Sequence, residues 1–231
     1  EPSDRPYGWS NTIVTLDGVV SIGQGNTGVK LVGLKNFPKA KTKADFRLLA
    51  AGWAYADVII FSAASFRAEP EQQLIIPIPD LRRFRTDVLK KRNEQPDLVM
   101  VTASGWMDTK HPAWNPERRK LVATSQNGLA KVMKHLKEQL CTAADDDASA
   151  TSTINAWLKA HDVEIKVFES SVSADDVDLM ALAKYLKSDW KAHYIDVSAG
   201  PTLISLMVKA KVLDEYRYTT SGIVAGKKPT G

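Results

Sequence analysis

Four short turns carry the residues whose types and spacing suit chemistry: Ser62 to Ser65, Thr102 to Gly105, Thr124-Ser125, and Ser198 to Thr202. Each comes directly after an apolar run that reads as a strand. Hydroxyls donate to phosphate or ribose oxygens, and small side chains let a ligand reach backbone amides, though the same residues also simply make turns. Their shared place at strand carboxyl ends favours ligand binding, because open α/β sheets bind ligands there. The last turn is the most informative. Tyr194-Ile195-Asp196-Val197 reads as a buried parallel strand, and Pro201 suits the first turn of a helix whose face is marked by Leu203, Leu206, Met207 and Ala210. The free N–H groups and positive dipole end of that helix predict an anionic ligand such as a nucleotide phosphate.

Other motifs carry less. Gly23-Gln24-Gly25-Asn26-Thr27-Gly28 matches G-x-G-x-x-G, but the segment from Val29 to Leu34 lacks a helical period and no acidic residue ends a strand about 20 residues later, so a loop or hairpin is the better reading. No G-x-x-x-x-G-K-[ST] and no G-x-S-x-G occurs, which removes a P-loop and lowers the case for a hydrolase. His111, His135, His161 and His193 are scattered without metal-ligand spacing, so no metal is expected. Cys141 lies far from any obvious base and reads as structural.

The elements that must position the turns alternate strand and helix. Strands are expected at Asn11 to Leu16, Asp57 to Ser62, Asp97 to Ala103, Arg119 to Thr124, Val163 to Phe168, His193 to Ser198 and Asp214 to Val224. Helices are expected at Asp45 to Ala56, Gly128 to Leu140, Ile154 to Ala160, Asp175 to Lys187 and Thr202 to Lys211, with Ser173-Ala174-Asp175-Asp176 as a helix start. The alternation predicts a single α/β domain with a mainly parallel sheet flanked by helices. Thr142 to Thr153, small and acidic, reads as an exposed insertion and a solvated loop. Around Leu81, Phe84, Val88 and Leu89 a short amphipathic helix carries Arg82, Arg83, Arg85, Lys90, Lys91 and Arg92, read as a solvated face.

Composition bounds the function. The chain has 231 residues, 44% of them apolar and 25% charged, with a net charge of +4. Basic and acidic residues are interleaved, which argues against nucleic acid and suits a small anionic ligand. One cysteine excludes a disulfide framework, and neither a signal-like core nor an apolar run of membrane length is present, so the reading is cytoplasmic, with no membrane partner. The chain starts at Glu1 without Met and stops at Gly231, and truncation at the C-terminal end is expected. Six tryptophans (Trp9, Trp53, Trp106, Trp114, Trp157, Trp190) are dispersed and read as packing residues.

A series of short motifs then resembles one family. Arg5-Pro6-Tyr7, Thr15-Leu16-Asp17-Gly18, Ala56-Asp57-Val58-Ile59-Ile60, Ser65-Phe66-Arg67-Ala68-Glu69, Pro96 to Thr102, and Gly200-Pro201-Thr202-Leu203 with Asp214-Glu215 stand in the order seen in the C-terminal reductase domain of the bifunctional deaminase-reductase of riboflavin biosynthesis. The resemblance spans nearly the whole chain, so one reductase-like domain over residues 1–231 is expected, with a dihydrofolate-reductase-like fold. It implies NADPH-dependent reduction of a phosphoribosylaminopyrimidine or related pyrimidine by hydride transfer, in a homodimer. It further implies that Thr15, Ser65, Glu69, Gly200, Pro201, Thr202, Leu203 and Ile204 bind the cofactor, that Asp17 handles a proton at the reacting centre, and that Ser198 contacts substrate. The chain departs from the pattern where Ser198-Ala199-Gly200 replaces Glu-Gly-Gly, where Val19 replaces a basic residue, and where Ser62-Ala63-Ala64-Ser65 replaces a Gly-rich turn whose closeness to a ligand added Cβ atoms would crowd. Ser198 and Val19 motivate an alternative, a catalytically silent nucleotide-binding or scaffolding paralogue. A glycosyl- or nucleotide-transferring enzyme would need a carboxylate pair, and Asp145 to Asp147 lies in the wrong place for one.

Overall fold

The computed structural model describes residues 2–14, 16, 39–142 and 146–220. Seven strands form one sheet: β1 (Tyr7–Val14), β2 (Val58–Ser62), β3 (Asp97–Thr102), β4 (Lys120–Thr124), β5 (Val163–Val167), β6 (Tyr194–Val197) and β7 (Glu215–Thr220). Every pairing between them is parallel, in the order β5-β4-β3-β2-β6-β1-β7. The helices are α1 (Lys39–Tyr55), α2 (Ala63–Ala68), α3 (Pro79–Arg83), α4 (Gln126–Leu140), α5 (Asp147–Ala160), α6 (Leu179–Ser188) and α7 (Pro201–Lys209), with α3 running into a wider turn at Phe84–Val88.

Parallel strands covered on both faces read as unbroken apolar runs, and period two then divides each run between two cores. Val58 and Ile60, Val99 and Val101, Leu121 and Ala123, and Ile195 and Val197 face α6 and α7. Ile59 and Phe61, Leu98 and Met100, and Val122 face α1, α2, α4 and α5. From β2 the chain steps outward through β3, β4 and β5, then returns to lay β6 between β2 and β1, and α7 leads on to β7 beyond β1. Leaving β2 and leaving β6 therefore carry the chain in opposite directions, onto opposite faces. That is a topological switch point, and the crevice it opens lies beyond the carboxyl ends of β2 and β6.

All seven expected strands are present, with shifts at their ends. β1 starts at Tyr7 because Gly8 is already anchored: its N–H donates to Asp214 at 2.8 Å and its carbonyl accepts from the Asp214 N–H at 2.8 Å. Helix α6 starts at Leu179, not near Asp175, because Asp178 stands directly before the apolar run Leu179, Leu182, Ala183, Leu186 and caps the Ala181 N–H at 2.8 Å. Ser173 to Asp176 is a turn that precedes it. The solvated loop expected over 142–153 is corrected from Asp147 onward: Asp146 caps the Ser149 N–H at 2.7 Å, and Ala150 and Ile154, four apart, bury one face of α5. Ser62 to Ser65 is likewise no turn; Ser62 is the cap of α2. In the basic segment Arg85 departs from the expected solvated face: its guanidinium is buried, donating to the carbonyls of Ala54, Ala56 and Asn93. Thr15, Asp17, Val19, the glycine triplet at 23–28 and any strand beyond Thr220 lie outside the described residues.

Candidate functional site

At the switch point a short hydroxyl chain joins the two loops. The Ser62 hydroxyl accepts from the Ser65 N–H at 3.1 Å and lies 2.8 Å from the Ser65 hydroxyl, which in turn accepts from the Gly200 N–H at 3.3 Å. One capping interaction thus extends across the sheet from the start of α2 to the start of α7. Gly200 caps α7 with backbone alone, and a methyl group built on it would meet nothing closer than the Ser65 hydroxyl at 3.9 Å, so the backbone there is open to a ligand. The Ile204 N–H turns back to the Gly200 carbonyl at 3.2 Å, and Pro201 has no N–H, which leaves the amides of Thr202 and Leu203 as the open donors of this helix end. Pro201 and Thr202 are exposed, whereas the side chains of Leu203 and Ile204 are buried in the core, so any contact those two make with a ligand is made by backbone. Glu69 sits at the far end of α2, with its carbonyl held by the His111 ring at 3.1 Å. Burial holds the His111 pKa below its usual value, and its other nitrogen accepts from the Ala113 N–H, so the ring is a neutral clamp.

Of the residues expected at the site, the fold brings together Ser65, Ser198, Gly200 and the first turn of α7. Glu69 is placed a helical turn away from Ser65. The surprise is what holds Ser198. On β6, Ile195 and Val197 face α6 and α7, so Asp196 faces the other way, toward α1, and is fully buried. Its carboxylate accepts from the Trp9 indole at 2.7 Å, the Asn11 amide at 3.3 Å and the Ser198 hydroxyl at 2.6 Å. The Ser198 hydroxyl also accepts from the Trp53 indole at 2.9 Å. Gly52 makes room: a methyl group there would stand 3.2 Å from both Asn11 and Asp196. Burial raises the Asp196 pKa to about 6 against the opposing pull of Ser198, Trp9, Arg217 and Asn11. Sequence reasoning passes over Asp196 as one polar letter in an apolar strand. The available signal is that a carboxylate in a strand buried on both faces needs donors, which here are Trp9, Asn11 and Ser198.

The amino ends of the strands carry different chemistry. A cavity of about 410 Å³ there is lined by Asp57, Arg85, Asp97, Arg119 and Trp190 among others. Of its acids, Asp57 is paired with Lys91 at 2.6 Å and Asp97 with Arg119 at 2.6 Å, and Asp189 accepts from the Ser188 hydroxyl, so it reads as an ion-pair seam on the side of the sheet away from the switch point.

The sequence profile of the RibD C-terminal domain matches residues 6–230. No curated protein sequence matches the chain. In three dimensions it is similar to a pyrimidine reductase-like protein from Corynebacterium diphtheriae, with a TM-score of 0.61 and 16% identity, covering 96% of this chain and 76% of that one. It is similar to the riboflavin biosynthesis reductase of Saccharomyces cerevisiae at a TM-score of 0.56 and 12% identity, covering 98% and 77%. A third likeness is to RibD of Acinetobacter baumannii, with a TM-score of 0.60, 15% identity and coverage of 97% and 48%, so the chain spans about half of that protein. The bifunctional diaminohydroxyphosphoribosylaminopyrimidine deaminase/5-amino-6-(5-phosphoribosylamino)uracil reductase of Thermotoga maritima is similar too, at a TM-score of 0.57 and 14% identity over 96% of this chain and 46% of that one.

Proposed function

We propose, from the premise that this chain belongs to the RibD C-terminal domain family, that it is an NADPH-dependent pyrimidine reductase of the riboflavin-pathway type. The observation that carries the reading is the Ser65–Gly200 bond, which joins the carboxyl ends of β2 and β6 at an open helix N-terminus. The residues present suit a dinucleotide: the amides of Thr202 and Leu203 and the positive end of α7 favour phosphate, Gly200 permits close approach, and the Ser62 and Ser65 hydroxyls add polar partners. When bound, NADPH supplies the hydride. Ser198, at the end of β6 beside this cradle, is the substrate-side hydroxyl. Asp17 as the polar or proton-handling group and Thr15 and Glu69 as cofactor contacts complete the reading, which carries a homodimer and a cytoplasmic setting with it.

Titration with NADPH and NADH, followed by tryptophan fluorescence and the thermal midpoint, tests this directly, since a ligand that binds only the folded state raises the midpoint. Saturable, NADPH-selective binding is expected, with oxidation of NADPH once 5-amino-6-(5-phosphoribosylamino)uracil is added. Absence of binding by the folded chain would sink the reading. The second reading, a catalytically silent nucleotide-binding or scaffolding paralogue, is favoured by Ser198 standing where a glutamate is usual. Ser198→Glu alone does not discriminate between the two, because it sets a second carboxylate against buried Asp196, whose oxygen lies 2.6 Å from the serine hydroxyl. Pairing it with Asp196→Leu removes that conflict. Activity gained by the pair over an inactive wild type would favour the silent reading.

A further inference from the structure

The inference rests on the reductase reading and deepens it. An indole N–H can only donate, so the Ser198 oxygen must accept from Trp53. The single hydroxyl proton of Ser198 is then spent on Asp196 at 2.6 Å, and the other carboxylate oxygen is taken by Trp9 and Asn11. One lone pair of the half-buried serine oxygen remains. We propose that Asp196 is a positioning residue acting through Ser198: by taking the serine proton it makes the hydroxyl an acceptor toward the cleft, so the substrate group read there is a donor, such as a pyrimidine ring N–H or an exocyclic amine. An ionised carboxylate is the side chain that imposes this. A carboxamide at 196 must keep its oxygen toward the donors Trp9 and Asn11, so its NH₂ would face Ser198 and turn the serine proton out toward the cleft. The same reversal occurs when Asp196 itself takes a proton.

The charged and titratable groups on the elements around Asp196 can be told apart from it. Arg217 of β7 lies 5.5 Å over the Trp9 ring and is paired at 2.7 Å with Glu215, which the pairing holds below the usual carboxylate range. On α1, Asp45 accepts from Thr219 at 2.7 Å, and Lys43 and Arg47 are exposed. Tyr7 of β1 is held above its usual value by burial. Ile59, Asp196's register partner on β2, is apolar.

The test has two arms, on the wild type, Asp196→Asn and Ser198→Ala. The first tracks the indole N–H resonances of Trp9 and Trp53 against pH without ligand. In the wild type both should move together with a midpoint near 6. In Ser198→Ala the Trp9 signal should still move while Trp53 becomes indifferent, and in Asp196→Asn neither should titrate. The second arm measures KM for 5-amino-6-(5-phosphoribosylamino)uracil at saturating NADPH. Asp196→Asn should raise KM about tenfold or more, with kcat and NADPH affinity little changed, and the wild-type KM should rise as pH falls through the same midpoint. A wild-type Trp53 signal that ignores pH overturns the coupling, whatever the protein reduces. An unchanged KM in a folded Asp196→Asn overturns the donor-reading role. Should Asp196→Asn fail to fold, Ser198→Ala carries both arms, since it removes the acceptor while Trp9 and Asn11 still satisfy Asp196; an unchanged KM there overturns the role. If the wild type turns over no such substrate, the reductase reading and the substrate half of the proposal fall together, while the indole titration still decides the coupling.

Discussion

Asp196 is an expensive residue to bury, and its cost has a sign that can be measured. Burial lifts its folded pKa to about 6 from an unfolded value near 3.8. The folded state therefore binds a proton between those values that the unfolded chain does not, and this group's contribution to stability rises as pH falls from about 6 toward 4. At neutral pH the ionised carboxylate costs the fold on the order of 3 kcal/mol relative to acid. Comparing Asp196→Asn with the wild type cancels the groups common to both. Denaturant unfolding at pH 7 and at pH 4.5 should show the wild type gaining on the variant by about 2 kcal/mol in acid; equal differences at the two pH values would mean that Asp196 does not titrate in the fold. That a site retains such a residue fits a role in setting the direction of its neighbour's hydrogen bond.

Among the elements, β1 depends on a close approach that no side chain permits. A methyl group at Gly8 would stand 2.6 Å from the carbonyl of Val212, and backbone cannot give way as a flexible side chain can. Gly8→Ala should cost about 2 kcal/mol by overpacking. Because Trp9 and Asn11 stand further along the same strand, the variant should also loosen the Asp196 cage, seen as lost coupling between the two indole resonances as pH is varied; a wild-type unfolding midpoint would refute the packing argument. The strands are legible in the sequence because buried parallel strands are apolar runs bounded by turns. Helix starts are less so: Ser173, Asp175 and Asp178 are all good caps, and only the packing of Leu179, Leu182 and Leu186 under the sheet selects the last. The first two turns of α5 read as a loop in the sequence because their outward positions are small or acidic, while the burial of the helix rests on Ala150 and Ile154.

Across the whole molecule the two ends of the described chain are stitched together. Arg5 grips Asp214 with two bonds, at 2.6 and 2.7 Å, and the same carboxylate takes the Gly8 N–H. Burial pushes the Asp214 pKa up, but Arg5 and Gly8 more than offset it and leave it below the usual range. The sign is opposite to that of Asp196. Stability from Asp214 is fully present above the unfolded carboxylate value and is lost as pH falls through the lower folded one. Asp214→Ala should cost about 2 kcal/mol at pH 7, the scale of charged hydrogen bonds that are partly screened. The difference from wild type should shrink as pH falls below the unfolded carboxylate value and through the lower folded one, and a gap that is constant with pH would place the effect in packing instead.

What the sequence determined by itself was the alternation of elements, the parallel sheet and the order of motifs that marks the family, because these depend on local period and on residue order. It also placed Ser65, Ser198 and Gly200 at strand ends. Only the tertiary structure decided that β6 lies between β2 and β1, so that a hydroxyl at residue 65 meets an amide at residue 200. It likewise decided that residues 9, 11 and 198 converge on the carboxylate at residue 196, and that residue 53 donates to residue 198. The physical reason is that a strand's period tells which residues share a face but not which strand stands beside it. That neighbour is chosen by burial over the whole sheet, and with it the partners a buried charge requires.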